Sequence, residues 1–198
     1  MGTRNLTCVV LGGEYKVAQY GQWYGYPSGQ GATALTFLRG MDKEVFIAKL
    51  SALSFISDAD ADAINAELLD DQTLMQEGKK YGHLSRDRAA EILDIIYKED
   101  PGSLKLQNSL NFAADSLFCE FAYVIDLDKN TFEVFTGFNR SPLAEGERFA
   151  FLNGEADQDH RSKKYTPVKH MHTFQLDALP TVDEFLAICE PRGEDETE

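Results

Sequence analysis

The chain has 198 residues, of which 43% are hydrophobic and 11% aromatic, and its 33 acidic against 19 basic residues give a formal net charge of −14. This length predicts one domain with a sizeable core, and no apolar run reaches the roughly 18 residues that a membrane-spanning helix needs. The negative charge disfavours direct binding to a phosphate backbone, and it favours either solubility alone or a partner with a basic surface.

The first half of the chain predicts a hairpin followed by helices. Apolar residues alternate on both sides of Gly12 and Gly13, which is the pattern of two strands joined by a tight turn. Helix formers and capping residues then follow in succession. The expected elements are strands at 5–11 and 14–20, a helix at 32–40, and three further helices capped by Asp42, Asp58 and Ser85.

The second half predicts strands and one last helix. A turn at Asp128, Lys129 and Asn130 separates two strand-like runs. The expected elements are a hairpin at 117–126 and 131–137, strands at 148–152 and near 167–176, and a helix with the capping box Thr181 and Glu184. We therefore predict a single α+β domain over residues 1–190, whose several helices pack on a largely antiparallel sheet, and an acidic disordered tail over 191–198.

The segment YGQWYGYPSGQG, residues 20–31, is the most unusual stretch. It precedes a predicted helix, but it matches neither of the glycine-rich phosphate-binding motifs GxxxxGK[ST] and GxGxxG. Its aromatic and polar side chains could bind a planar ligand or a partner surface. The candidate binding residues are Gln22, Trp23, Tyr24, Tyr26, Ser28 and Gln30, with Arg4 and Asn5 on the adjacent strand. The competing interpretation is a strand-to-helix connection whose glycines allow positive φ.

The first thirty residues, GTRNLTCVVLGGEYKVAQYGQWYGYPSGQG, resemble the start of a family of uncharacterised proteins from phages, bacteria and some fungi. Members of that family contain RNLT followed by KVAQYGQWDGYPSGQG, and the run YVIDLDKNTFEVFTGFN is also similar. The family has no established activity, so the resemblance implies kinship and a phage or prophage origin, without a mechanism. The chain departs from the family pattern at Tyr24, where the family has aspartate, and at Gly12, where a polar residue is commoner.

Two sets of residues raise the question of a metal site. His170 and His172 lie two apart on a predicted strand, so we expect them on one face, where loop residues could complete a site. Those loop residues are Asp157, Asp159 and His160. The alternative interpretation is the exposed face of an edge strand. Residues 58–62, DADAD, start like a calcium loop, but Ala63 and Leu69 replace the required glycine and glutamate, so they predict a helix N-terminus.

The lack of a catalytic motif predicts a non-enzymatic protein. We expect an acidic, cytoplasmic interaction protein that binds a basic partner, such as a host nucleic-acid-processing or defence factor, and blocks or modulates it. A module for a nucleotide-like small molecule, bound at residues 20–31, is the first alternative. The second is an N-terminal-nucleophile hydrolase, for which Thr3 and Cys8 are the candidate nucleophiles. We expect no cofactor, metal or membrane partner, and the separated cysteines Cys8, Cys119 and Cys189 predict free thiols.

Overall fold

Residues 2–100, 104–156 and 164–190, which the computed structural model describes, have an α+β fold. The strands are β1 (Asn5–Leu11), β2 (Glu14–Gly21), β3 (Ser54–Phe55), β4 (Lys105–Leu106), β5 (Phe121–Asp126), β6 (Thr131–Thr136) and β7 (Lys169–Gln175). The helices are α1 (Ala32–Gly40), α2 (Lys43–Ser51), α3 (Asp58–Asp70), α4 (Glu91–Lys98) and α5 (Val182–Cys189). The predicted fold class is confirmed, whereas the predicted tail, residues 191–198, lies outside the described residues.

The main sheet has the strand order β2-β1-β5-β6-β7. Its central pair, β1 and β5, is parallel, and the other neighbouring strands are antiparallel. Both predicted hairpins are present, and their turns are joined because the Asp128 carboxylate accepts hydrogen bonds of 2.8 Å from the backbone N–H groups of Gly12 and Gly13. Positive φ angles at these two glycines, 65° and 76°, turn both N–H groups toward one anion.

Apolar side chains cover both faces of the sheet. On one face, the aromatic rings of β5 and β6 meet α5, with 6.3 Å between the centroids of Tyr123 and Phe132 and 5.9 Å between those of Phe132 and Phe185. Buried residues of α1, α2 and α4 complete this layer. On the other face, short turns and loops bring Phe149 and Leu152 onto Leu6, Val124 and Phe135. Burial of these two apolar layers is the main force that holds the sheet between them.

The helix caps follow local sequence signals in most cases. The Asp42 side chain caps α2 by accepting from Val45 N, and Thr181 and Glu184 form the predicted capping box of α5. The cap of α3 is Ser57, one residue before the predicted Asp58.

Helix α4 begins at Glu91, well after the predicted cap at Ser85. The reason is Ala89, whose φ of 42° lies in the left-handed region, so a right-handed helix cannot run through it.

The predicted strand at 148–152 is wrong. Residues Ala150–Leu152 form a 3₁₀ turn instead, with the side chains of Phe149 and Leu152 buried. Residues three apart share a face of such a turn, whereas they lie on opposite faces of a strand. The short parallel pair of β3 and β4 was not predicted. Among the described residues, no helix combines the length and apolar character needed to cross a bilayer.

Candidate functional site

Residues 20–31, which we call the connecting segment, join β2 to α1 along a backbone held by hydrogen bonds. Gly25 N donates to Thr3 O at 2.9 Å, and the buried Tyr123 hydroxyl donates to Gly25 O at 2.8 Å. Gln30 N donates to Tyr24 O at 2.9 Å, and a π-helical turn over Pro27–Gly31 leads into α1. The predicted strand-to-helix connection is therefore confirmed, and its backbone is fixed at both ends.

The glycines of the connecting segment allow close packing rather than positive φ. None of them has a positive φ, so that part of the prediction is wrong. A Cβ at position 25 would lie 2.8 Å from Thr3 O, and one at position 29 would collide with Tyr24 O. The residue with the positive φ is Tyr24, at 55°, a conformation that costs a tyrosine energy.

Three aromatic side chains of the connecting segment are exposed. The exposed fractions are 44% for Trp23, 75% for Tyr24 and 49% for Tyr26. Trp23 Nε1 donates to Asp87 Oδ1 at 2.9 Å, and the ring of Tyr26 lies 6.1 Å from that of Phe121. Exposed aromatic rings with a polar end are typical of binding surfaces, and we call these three residues the aromatic surface.

A groove of about 750 Å³ lies beside Tyr24. Its walls come from the connecting segment, α1 and α4, with Thr33, Phe37 and Tyr97 among the lining residues. The Phe37 and Tyr97 rings meet edge to face at 5.9 Å, and Asp94 places a carboxylate in the groove. The groove therefore combines an apolar wall with hydroxyl groups and a negative charge.

The remaining predicted binding residues divide into two groups. Asn5, Ser28 and Gln30 support the backbone: Asn5 is fully buried, Ser28 N donates to Glu190 Oε2 at 2.9 Å, and Gln30 Oε1 accepts from Ala90 N at 3.0 Å. Gln22 and Arg4 lie elsewhere, at the end of β2 and the start of β1, and neither lines the groove. Of the predicted binding residues, Tyr24, Ser28 and Gln30 also line the groove, whereas the others do not: Trp23, Tyr26, Gln22, Arg4 and Asn5.

The two histidines proposed as metal ligands point to opposite faces of the sheet. A β-bulge in the pairing of β6 with β7 places His172 opposite Val134 but His170 opposite Phe135. Because consecutive residues of β6 face opposite sides, their partners do so too, and the predicted shared face is wrong. The edge position of β7 is confirmed.

The other predicted metal ligands, Asp157, Asp159 and His160, lie outside the described residues. Within the residues that are described, no group of three potential ligands is positioned to hold a metal ion.

The candidate nucleophiles are both buried. Cys8 lies in the middle of β1 between two hydrogen-bonded strands, and burial raises the pKa of its thiol, which disfavours the reactive thiolate. Thr3 is 4% exposed, and its carbonyl anchors Gly25. Freeing Cys8 as an N-terminus would remove the first residues of a central strand, so the geometry does not favour the hydrolase hypothesis.

The sequence analysis did not identify a buried charge cluster on the loop-covered face of the sheet. The Arg148 guanidinium donates to Glu133 at 2.5 and 2.6 Å and to Asp126, and the three side chains are at most 12% exposed. A cavity of about 540 Å³, also lined by Tyr15, lies beside it, and burial raises the pKa of Tyr15 to about 12. The sequence signal was available: Asp126 and Glu133 occupy inward-facing positions of predicted strands.

No family model, curated protein or solved structure matches this chain. The resemblance of its N-terminal segment to a phage, bacterial and fungal family therefore stays a prediction. The functional argument depends on the geometry of the site.

Proposed function

We propose that the chain is a non-enzymatic interaction protein that binds a basic segment of a partner protein in the groove beside Tyr24. The observation that carries this proposal is Tyr24 itself. Its side chain is 75% exposed, yet its backbone is fixed at a φ of 55° that a tyrosine rarely adopts. Strained conformations persist where the surrounding structure imposes them, and they concentrate at functional sites.

The chemistry of the groove favours a basic occupant. A lysine or arginine of the partner can stack on the exposed rings of the aromatic surface. Asp94, whose carboxylate lies 3.5 Å from Lys98 Nζ, lines the groove, and the Asp87 carboxylate accepts from the Trp23 indole N–H, so two acidic side chains lie near the rings. The net charge of −14 would steer a basic partner toward the protein at low ionic strength.

The partner class follows from the same charge argument. Proteins that process nucleic acids have basic grooves, which an acidic domain can occupy and so block. In this proposal the interaction takes place in the cytoplasm of a bacterial host, and the chain is a phage or prophage product. It inhibits or modulates a host defence or nucleic-acid-processing factor. This part of the proposal depends on the family resemblance and on the charge.

Affinity capture from bacterial lysate, read by mass spectrometry, tests the proposal with three forms of the protein. Wild type and Leu69→Ala, which truncates a side chain that is 85% exposed at the end of α3, should capture the same partner. Tyr24→Ala should lose it, and capture by the wild type should weaken as salt rises. Equal capture by all three forms, or capture that salt does not affect, would contradict the proposal.

A small planar ligand in the same groove is the second candidate function, because a volume of about 750 Å³ lies within the range of small-molecule pockets. A thermal-shift panel of nucleotides and metabolites separates the two candidates. A compound that raises the melting temperature of wild type but not of Tyr24→Ala favours the small molecule. A panel without such a compound, together with a captured partner, favours the protein interaction.

A further inference from the structure

A second cluster of partly or fully exposed side chains lies where β1 begins and β2 ends. It consists of Arg4, Tyr20, Gln22, Arg86 and Phe118, and we call it the arginine corner. Gln22 N donates to Arg86 O at 3.0 Å, and the Tyr20 hydroxyl donates to Gln22 Oε1 at 2.5 Å. The guanidinium carbon of Arg4 lies 4.8 Å from the centroid of the Phe118 ring. These contacts bring two arginines to one corner of the sheet.

The side chains of Arg4 and Arg86 are not held in ion pairs by any of the described residues. Two carboxylates near this corner accept hydrogen bonds from neutral donors: Glu120 accepts from the backbone N of Arg4 at 3.3 Å, and Asp87 accepts from Trp23 Nε1 at 2.9 Å. Two unpaired guanidinium groups are notable in a chain with such an excess of acidic residues.

Backbone contacts place both arginines beside Gln22: Asn5, the residue after Arg4, pairs with Gly21, and Arg86 O accepts from Gln22 N. Burial raises the pKa of the Tyr20 hydroxyl, and the charges of Arg4 and Arg86 each offset part of that rise. This effect of both charges agrees with the backbone placement of the two arginines near Tyr20 and Gln22. Because Gln22 uses its carbonyl oxygen to accept from Tyr20, its amide nitrogen remains a donor next to them.

We propose that the arginine corner binds the phosphate group of a small phosphorylated molecule with a planar ring. Guanidinium groups form paired, charge-assisted hydrogen bonds to phosphate oxygens, and the Gln22 amide adds a neutral donor. The Trp23 ring, which is 44% exposed and follows Gln22 in the chain, offers a flat apolar surface for the planar part. No residue of the arginine corner lines the groove beside Tyr24, so the phosphate contacts do not depend on the proposed protein interaction, and Trp23 is the one residue that the two proposals share.

Calorimetric titration with inorganic phosphate, adenosine monophosphate and adenosine at low ionic strength tests the proposal. Adenosine monophosphate should bind to the wild type, inorganic phosphate should bind more weakly, and adenosine should not bind. Replacement of one guanidinium by a neutral amide, in Arg4→Gln or Arg86→Gln, should weaken binding about tenfold. The matched control is Lys169→Gln, which removes the same charge from an exposed position on β7 and should leave binding unchanged.

Three outcomes would overturn the proposal. The first is no binding of phosphate or adenosine monophosphate at millimolar concentration. The second is equal weakening by Lys169→Gln, which would indicate general charge attraction. The third is unchanged binding in Arg86→Gln, whose exposed side chain can be replaced without loss of the fold. Equal affinity for phosphate and its nucleotide would identify the free anion as the occupant, and retained binding in Tyr24→Ala would separate this site from the groove.

Discussion

Arginines in two regions of the molecule have opposite surroundings. The Arg148 side chain is 12% exposed, and its guanidinium binds the buried carboxylates of Asp126 and Glu133. Arg4 and Arg86, at the arginine corner, form no ion pair with any residue that the structure describes. A charge removed from water needs a partner, whereas an accessible charge does not. Pairing therefore distinguishes the arginine that holds the fold together from those available to a ligand.

Replacement of Arg148 is the strongest test of this comparison. In Arg148→Met, Asp126 and Glu133 would remain buried without a compensating charge, so the free energy of unfolding should fall by about 3–5 kcal/mol. Urea denaturation followed by circular dichroism measures this change. In the same assay Arg86→Gln should stay within about 0.5 kcal/mol of wild type, as expected for an exposed side chain. Similar losses in the two variants would refute the distinction between them.

The same cluster predicts a dependence of stability on pH. Burial raises the pKa of Asp126, but hydrogen bonds from Arg148 and the Lys129 backbone lower it more, so the net pKa lies below the ordinary 3.8. A carboxyl with a lowered pKa in the folded state stabilises the fold above its unfolded pKa, and this contribution is lost as pH falls through the folded pKa. The stability difference between wild type and Asp126→Asn should therefore shrink below about pH 4. A constant difference across urea titrations at decreasing pH would contradict this assignment.

Asp128 extends the comparison to a charged side chain at the surface whose partners are backbone N–H groups. Its carboxylate accepts hydrogen bonds of 2.8 Å from the N–H groups of Gly12 and Gly13 and joins the turns of the two hairpins. Asp128→Ala should lower the free energy of unfolding by about 1 kcal/mol, because water can replace the lost acceptor at an exposed position. Asp128→Asn, which keeps one acceptor oxygen, should recover part of the loss in the same urea assay. A loss as large as that of Arg148→Met would show that burial does not determine how much a charged side chain contributes to the free energy of unfolding.

The features predicted correctly from the sequence depend on neighbouring residues. The turn at Gly12 and Gly13, the Asp42 cap and the box of Thr181 and Glu184 are each complete within a few residues, so one sequence contains the whole signal. The aromatic surface was found for a similar reason. Its rings are concentrated in a segment too rich in glycine to bury them.

The features that sequence reasoning missed depend on partners far along the chain. The bulge that separates His170 from His172 is set by the pairing of β7 with β6. Arg148 forms its ion pair with Asp126, which lies 22 residues away in the sequence. The arginine corner brings Arg4, just before β1, close to Arg86. In the connecting segment we predicted positive φ at the glycines, but Gly25 packs closely against Thr3, and the residue with the positive φ is Tyr24. Which backbone positions are crowded is a property of the folded chain.

Replacement of Tyr24 should have the smallest effect on the free energy of unfolding. It tests a strained backbone conformation in place of a charged side chain. In Tyr24→Gly, relief of the left-handed conformation should gain about 1–2 kcal/mol, and the greater freedom of glycine in the unfolded chain should offset about half of this. We therefore expect the free energy of unfolding to rise by roughly 0.5–1 kcal/mol while partner capture is lost. Aspartate adopts the left-handed conformation more readily than tyrosine does, so Tyr24→Asp should also be at least as stable as wild type. A fall in stability in both variants would mean that the ring packs on the fold, whereas a rise would mean that this chain keeps an exposed, strained tyrosine for what it binds.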